Sequence, residues 1–382
     1  MTTAPSIRRA VVPAASPAQL AADLRAALAP VAGELVLVFV TCRLDPEAVA
    51  PALAAALAPA RVVGCTSVRE LAGGTVEGTA VAVVLGGAVD RVGVGVAERL
   101  SGGPLVAGHA AMTQAAAALG LTTDALDGGH HVALALVDGQ STAVEGFCLG
   151  SAAAASRLGV VGGVSSNQRD TAGAAVFVDG RCRRDAGVVV LVATARRFAA
   201  LLCEHMVPTE ERVVVTGADP ARRRVSELDG YPAAARYDQV VRRLGATGPL
   251  DDALAAAFPF AIYVDGRPYV RSIRHVDGDE LCLAAAVDRG AVLRVMRPSD
   301  LVARTAAALD DARRRVGELE LVLAFSCTAR NLEAERKHTR AALDRVYATA
   351  PVLGFDSFGE QFGPLLVNHT LVALALGTEV RP

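Results

Sequence analysis

The 382-residue chain contains no tryptophan, and aromatic residues make up only 4% of it. Its two arginine triplets, Arg222-Arg223-Arg224 and Arg313-Arg314-Arg315, therefore stand without interleaved aromatic side chains. Lys+Arg 38 against Asp+Glu 40 leaves a formal net charge of −2. Neither composition nor patterning points to nucleic acid or to an anionic membrane surface. No run reaches the roughly 18 to 20 consecutive apolar residues that a spanning helix needs. The amino terminus has two arginines but no apolar core, so neither membrane insertion nor a secretory leader is expected. The seven cysteines include no Cys-x-x-Cys pair, which points to reduced thiols in a cytoplasm rather than a disulfide framework. Covalent haem attachment through Cys-x-x-Cys-His is excluded on the same ground. Also missing are Gly-x-x-x-x-Gly-Lys-Ser/Thr, His-Glu-x-x-His and Gly-x-Ser-x-Gly. Gly93–Glu98 lacks the third glycine and the strand–helix setting of a dinucleotide fingerprint.

What the chain does have is a pattern used three times. Arg61–Leu71 (RVVGCTSVREL) places Gly64, Ser67 and Glu70 at intervals of three. Pro351–Thr370 (PVLGFDSFGEQFGPLLVNHT) repeats those intervals with Gly354, Ser357 and Glu360, and Val160–Gln168 (VVGGVSSNQ) does so with Gly162, Ser165 and Gln168. Upstream flanks match as well: Glu34–Arg43 resembles Glu320–Arg330, and His131–Gly139 holds the equivalent place in the middle copy. Each unit reads strand, helix, strand, polar tip, strand. The fold class expected is α/β with α+β elements in the middle. Repeated βαββ modules form mixed sheets with helices packed on them, and an antiparallel, hairpin-rich insert is added.

In order, residues 1–30 read as a lead-in, loose over Met1–Ser16 and helical over Pro17–Leu28. Leu35–Val40 is a buried strand, and Asp45-Pro46 opens a helix with Asp45 as cap. Val62-Val63 and Thr79–Leu85 come next as strands. In the middle copy, His131–Val137 is a strand, Ser141–Leu158 a helix, and Ala174–Val178 and Gly187–Ala193 two strands with a hairpin signal at Asp179-Gly180. Arg212–Ala286, punctuated by Asp-Gly at Asp229, Asp265 and Asp277, predicts antiparallel hairpins, with a helix over Tyr231–Leu244. Gly290–Arg294 reads as a strand and Ser299–Arg315 as an amphipathic helix capped by Ser299.

A series of short patterns in this order carries a resemblance. They are VVGCTSVREL, VVGGVSSNQRD with VFVDG, SELDGYPA with Tyr237, YVRSI with VDGDEL, FSCTAR, GFDSFGEQ and NHT. Over nearly its whole length the chain resembles the FIST family, with an amino-terminal FIST domain at 31–228 and a carboxy-terminal one at 229–382. The resemblance implies a cytoplasmic sensory, signal-transduction module that binds a small molecule and regulates a partner in trans, rather than an enzyme. It also implies an alternative, a non-covalent haem protein that senses nitric oxide and acts on a histidine kinase. At the first tip Val68-Arg69 departs from the small residue and glycine usual there.

Loops at the carboxyl ends of parallel strands are where open α/β sheets bind ligands. The candidate ligand-binding residues are accordingly Gly354, Ser357 and Glu360, with Ser67, Glu70, Ser165 and Asn167 at the other tips. Arg330 could clamp a carboxylate with its planar fork, and Cys327, Asn368 and His369 stand at the same sheet edge. If haem binds, His205, His275 and His369 are the candidate iron ligands. A Cys327-dependent enzyme with His369 as base is the third reading. Gly and Ser making a turn, with Glu capping the next segment, is the plain alternative at each tip.

Overall fold

The computed structural model describes residues 7–31, 35–86, 89–168 and 173–381. Three parallel strand pairs form its frame: Leu35–Thr41 with Arg61–Ser67, His131–Val137 with Gly159–Val164, and Leu319–Cys327 with Val352–Ser357. Parallel neighbours require a crossover. It is supplied by the helices Pro46–Leu57, by Val144–Ala154, and by Thr328–Arg336 with Arg340–Tyr347. An antiparallel strand flanks each pair, namely Thr79–Val84, Gly187–Ala193 and Thr370–Val380. Outside these lie Arg8–Pro13, Arg91–Ala97 and Arg196–Glu204. These three six-stranded sheets are open and mixed.

The short hairpins after the tips do not fold back on their own sheets. Glu70–Ala72 pairs with Val352–Ser357, Val176–Val178 with Arg61–Ser67, and Glu360–Phe362 with Gly159–Val164. Every six-stranded sheet thus takes its last two strands from another copy, and the exchange closes on itself.

The inner faces of the three sheets share one core. Phe39, Phe325 and Phe355 meet at its centre, with ring centroids 4.8 Å apart for Phe39–Phe355 and 5.5 Å for Phe325–Phe355. Buried on both faces, the central strands read as unbroken apolar runs. Helices cover the outer faces: Pro17–Leu28 and Pro46–Leu57 on the first sheet, Pro104–Ala118 and Val144–Ala154 on the second, and Leu301–Val316 with Arg340–Tyr347 on the third. Between the second and third frames runs the insert, an eight-stranded antiparallel sheet over Met206–Pro298. Its core closes around Tyr237 on the helix Ala233–Arg243.

Several elements differ from the sequence reading. Arg8–Pro13 is a paired edge strand rather than a loose lead-in, because its alternating burial gives Ala10 and Val12 a place on the helix side of the first sheet. The middle helix is shorter, Val144–Ala154. Asp179-Gly180 does make a hairpin, but its return strand is Arg181–Arg183, while Gly187–Ala193 belongs to another sheet. Asp300, not Ser299, caps Leu301–Val316 by accepting from Ala303 N, and Ser299 Oγ bonds the His205 carbonyl instead.

Candidate functional site

The repeated tips are bound first of all to one another. Asp356 N donates to Arg69 O (2.9 Å), Val68 N to Ser166 Oγ (3.0 Å), Ser166 N to Thr66 O (3.1 Å) and Phe358 N to Val164 O (3.1 Å). Arg69, the departure at the first tip, has a place in this junction. Its guanidinium meets Glu77 at 2.8 Å, Glu335 at 2.9 Å and Asp356 at 3.7 Å.

Within two tips the three-residue spacing makes a buried hydrogen-bonded unit. Ser67 Oγ donates to Glu70 Oε1 at 2.6 Å and Thr79 Oγ1 to Glu70 Oε2 at 2.7 Å. Ser357 and Thr370 bracket Glu360 in the same way. Burial pushes both carboxyls up to about 8, against the pull of these hydroxyls. Asp356, buried beside Asn331, is pushed up to about 7. Ser165 Oγ accepts from Gly139 N, and the Asn167 amide donates to the Gln168 carbonyl. The tip glycines serve the sheets. A Cβ on Gly64 would lie 2.0 Å from the Val38 carbonyl oxygen, on Gly162 2.2 Å from that of Ala135, and on Gly354 1.7 Å from that of Ala324. Each of these partners is the neighbour in parallel register.

A cavity of about 440 Å³ opens beside the third tip, between that copy and the insert. Cys327, Thr328, Ala329 and Leu332 line one wall, Phe358, Asn368 and His369 a second, and Ala256, Ser272, Ile273 and Arg274 of the insert a third. Arg274 lies over the Phe358 ring, 5.6 Å from its centroid. Of the expected residues, the structure therefore brings Cys327, Asn368 and His369 to one cavity. Ser357, Glu360 and Arg330 lie behind its wall, and Ser67, Glu70, Ser165 and Asn167 stand elsewhere. Sequence reasoning missed the insert's contribution, since no local signal tells which hairpin reaches back to the third copy.

Two side chains in this wall are polar, buried and unsatisfied among the described residues. Asn368 Oδ1 accepts from Ser272 N at 3.4 Å, but its Nδ2 has no partner. Neither ring nitrogen of His369 has one, although the residue is 2% exposed. Buried groups of this kind are ordinarily paired. His369 also sits at φ 56, and among the described residues it alone is buried of the non-glycine residues at positive φ. Burial, reinforced by His205, holds its imidazole neutral, with its pKa brought down to about 3.

His205, His369 and Glu333 bring candidate ligand atoms within 4.8 Å of one another. The hydrogen bonds argue against a metal there. Arg330, which can only donate, faces His205 Nδ1 at 3.4 Å, so Nε2 carries the proton and gives it to Glu333 Oε2 at 2.8 Å. A metal on Nε2 would need the opposite tautomer. Burial disfavours the Glu333 charge, but hydrogen bonds from His205 and Lys337 outweigh it and bring the carboxyl down to about 2. Arg330 itself is fully buried and donates to Thr305 at 2.7 Å, so it is a brace under the cavity floor. His275 is exposed on the insert, remote from this pair in burial and setting. Of the three haem-ligand candidates, His369 is the one that lines the cavity.

The Cys327 thiol receives the backbone N–H groups of Ala329 and His369, yet burial and then nearby Glu360 raise it well above its ordinary value. A thiol held protonated is a poor nucleophile.

The FIST N domain model matches residues 34–231, and the FIST C domain model matches residues 233–363. No curated protein matches the chain. Among solved structures, PurLQS from Thermotoga maritima aligns with 97% of this chain and 72% of its own, at 10% identity and a TM-score of 0.18. So low a score carries no argument.

Proposed function

Since the chain belongs to the FIST family, whose domains are small-ligand sensory domains of signalling proteins, we propose that its ligand enters the cavity beside the third tip. One observation carries this reading: Asn368 and His369, which line a space of about 440 Å³, carry buried, unpartnered polar atoms. Unmet buried donors cost about 1–3 kcal/mol each, and a ligand that pairs with them recovers that. Cys327, Thr328 and Ala329 form the rim of the same space. Occupancy would be relayed through the joined tips to a signalling partner in trans, such as a histidine kinase, in the cytoplasm. Ser357 and Glu360 support the wall in this account and do not touch the ligand.

The test is a thermal-shift screen of small metabolites, then calorimetric titration of each hit into wild type and Ala256→Phe, whose added ring fills the cavity from the insert side. Loss of binding in Ala256→Phe is expected. Hits that bind Ala256→Phe as tightly as wild type would sink the reading.

A non-covalent haem is the second reading, favoured by the neutral, unpartnered His369 imidazole. His369 would hold the iron, and Arg274 and Arg336 stand at the rim to meet acidic groups; a bound haem would supply gas binding. A Soret band that shifts with nitric oxide and disappears in His369→Ala is the expected signature. A spectrum that is only the sum of free haem and protein would reject it.

A further inference from the structure

The cavity wall has a chemical sign. One side is the first turn of the helix Thr328–Arg336, preceded by Cys327, and no side-chain oxygen caps that turn. A helix amino terminus carries partial positive charge and outward N–H groups; one of them here, that of Ala329, is already taken by the Cys327 sulfur. By itself this is a common feature and marks nothing. Here, however, the fully buried Asn368 lines the same space with an unpartnered Nδ2, which can only donate. The neutral His369 beside it offers one further N–H.

The charged groups at the rim add to this balance. Glu335 is already bound by Arg69 and Arg340, each at 2.9 Å, and Asp252 accepts from Val276 N at 3.0 Å. Arg274 has no carboxylate partner among the described residues, and Arg336 bonds only the Ala253 carbonyl. Asp252 has no cationic partner among the described residues, so the rim carries two arginines without a carboxylate partner against one unpaired carboxylate. The remaining surface is apolar: Ala256, Ile273, Leu332 and Phe358.

We propose that the ligand is a small organic monocarboxylate, its carboxylate received by the Thr328–Arg336 amino terminus and Asn368 Nδ2, its apolar body lying against Ile273, Leu332 and Phe358. This rests on the cavity reading above and narrows it to one chemical class. Charge-assisted bonds from backbone N–H groups and an amide suit a carboxylate. The apolar wall of Ile273, Leu332 and Phe358 suits a ligand with a hydrocarbon body, which inorganic phosphate lacks.

Calorimetric titration of the full chain with sodium hexanoate, hexanamide, hexylamine and inorganic phosphate tests the class. Hexanoate should bind and the other three should not. Asn368→Asp puts a carboxylate where the donor stood and should weaken hexanoate roughly tenfold or more. Leu332 is 48% exposed, so Leu332→Glu should fold normally and weaken hexanoate by repulsion even if Asn368→Asp does not fold. Hexanamide binding as tightly as hexanoate, or hexylamine or phosphate binding in its place, overturns the proposal while leaving the cavity as a ligand site. Hexanoate that fails to bind overturns it as well, and the metabolite screen then judges the cavity separately.

Discussion

At the scale of single residues, the tip glutamates have a use that can be read from titration. Glu70 and Glu360 sit at about 8 in the fold, well above the ordinary value of 4.5. The folded chain keeps a proton that the unfolded chain has released, so stability falls as pH rises toward about 8 and then levels. Asp356, at about 7, acts with the same sign. His369 at about 3 and Glu333 at about 2 have the opposite sign, but they act at lower pH. Urea unfolding should therefore show a loss of about 1–2 kcal/mol per glutamate between pH 6.5 and 8.5. Glu70→Gln and Glu360→Gln should each flatten that slope; a slope unchanged in both would contradict the assignment. Gly354→Ala tests the tip glycines. Its Cβ would lie 1.7 Å from a backbone oxygen, so a loss of about 3 kcal/mol or more is expected in the same assay. The Gly-x-x-Ser-x-x-Glu spacing was legible in the sequence, but its meaning was not. Residue types alone do not say whether a serine hydroxyl and a carboxyl face a ligand or each other.

At the scale of elements, the strands that lie between helices were readable because they are apolar throughout and end at glycine or proline. Leu35–Thr41 and the Asp45-capped helix Pro46–Leu57 are examples. Arg8–Pro13 was not readable, since an edge strand with alternating exposure looks like a polar leader until its partner is known. The destination of each hairpin was hidden for the same reason: Glu70–Ala72 has no local mark that sends it to Val352–Ser357. Arg69 pins that hairpin to the third copy through Glu335 and Asp356. Arg69→Ala should cost about 1–3 kcal/mol, since it leaves Asp356 without its cation. Hydrogen exchange should accelerate at residues 66–76 and 354–358 together. Acceleration at one tip alone would argue that the junction is not a unit.

At the scale of the whole molecule, the two matched domain spans are not separate bodies. The second sheet borrows Glu360–Phe362 and Leu365–Val367, the third borrows Glu70–Ala72, and Arg196–Glu204 pairs with Thr370–Val380. Residues 1–228 and 229–382 expressed apart should each lack cooperative unfolding, and mixing them should restore it; a cooperative transition in either half alone would refute this. The same interleaving places the cavity where the insert meets the third copy, so a ligand there touches elements that the exchange couples to all three tips. Ala256→Phe gives the most direct test, because it fills the cavity from a partly exposed insert helix and touches no tip glutamate. The measurement is the affinity of each thermal-shift hit for wild type, Ala256→Phe and Glu360→Gln. Loss of binding in Ala256→Phe with near wild-type affinity in Glu360→Gln is the predicted result. Binding that survives Ala256→Phe and disappears in Glu360→Gln would move the site to the tips and contradict the account.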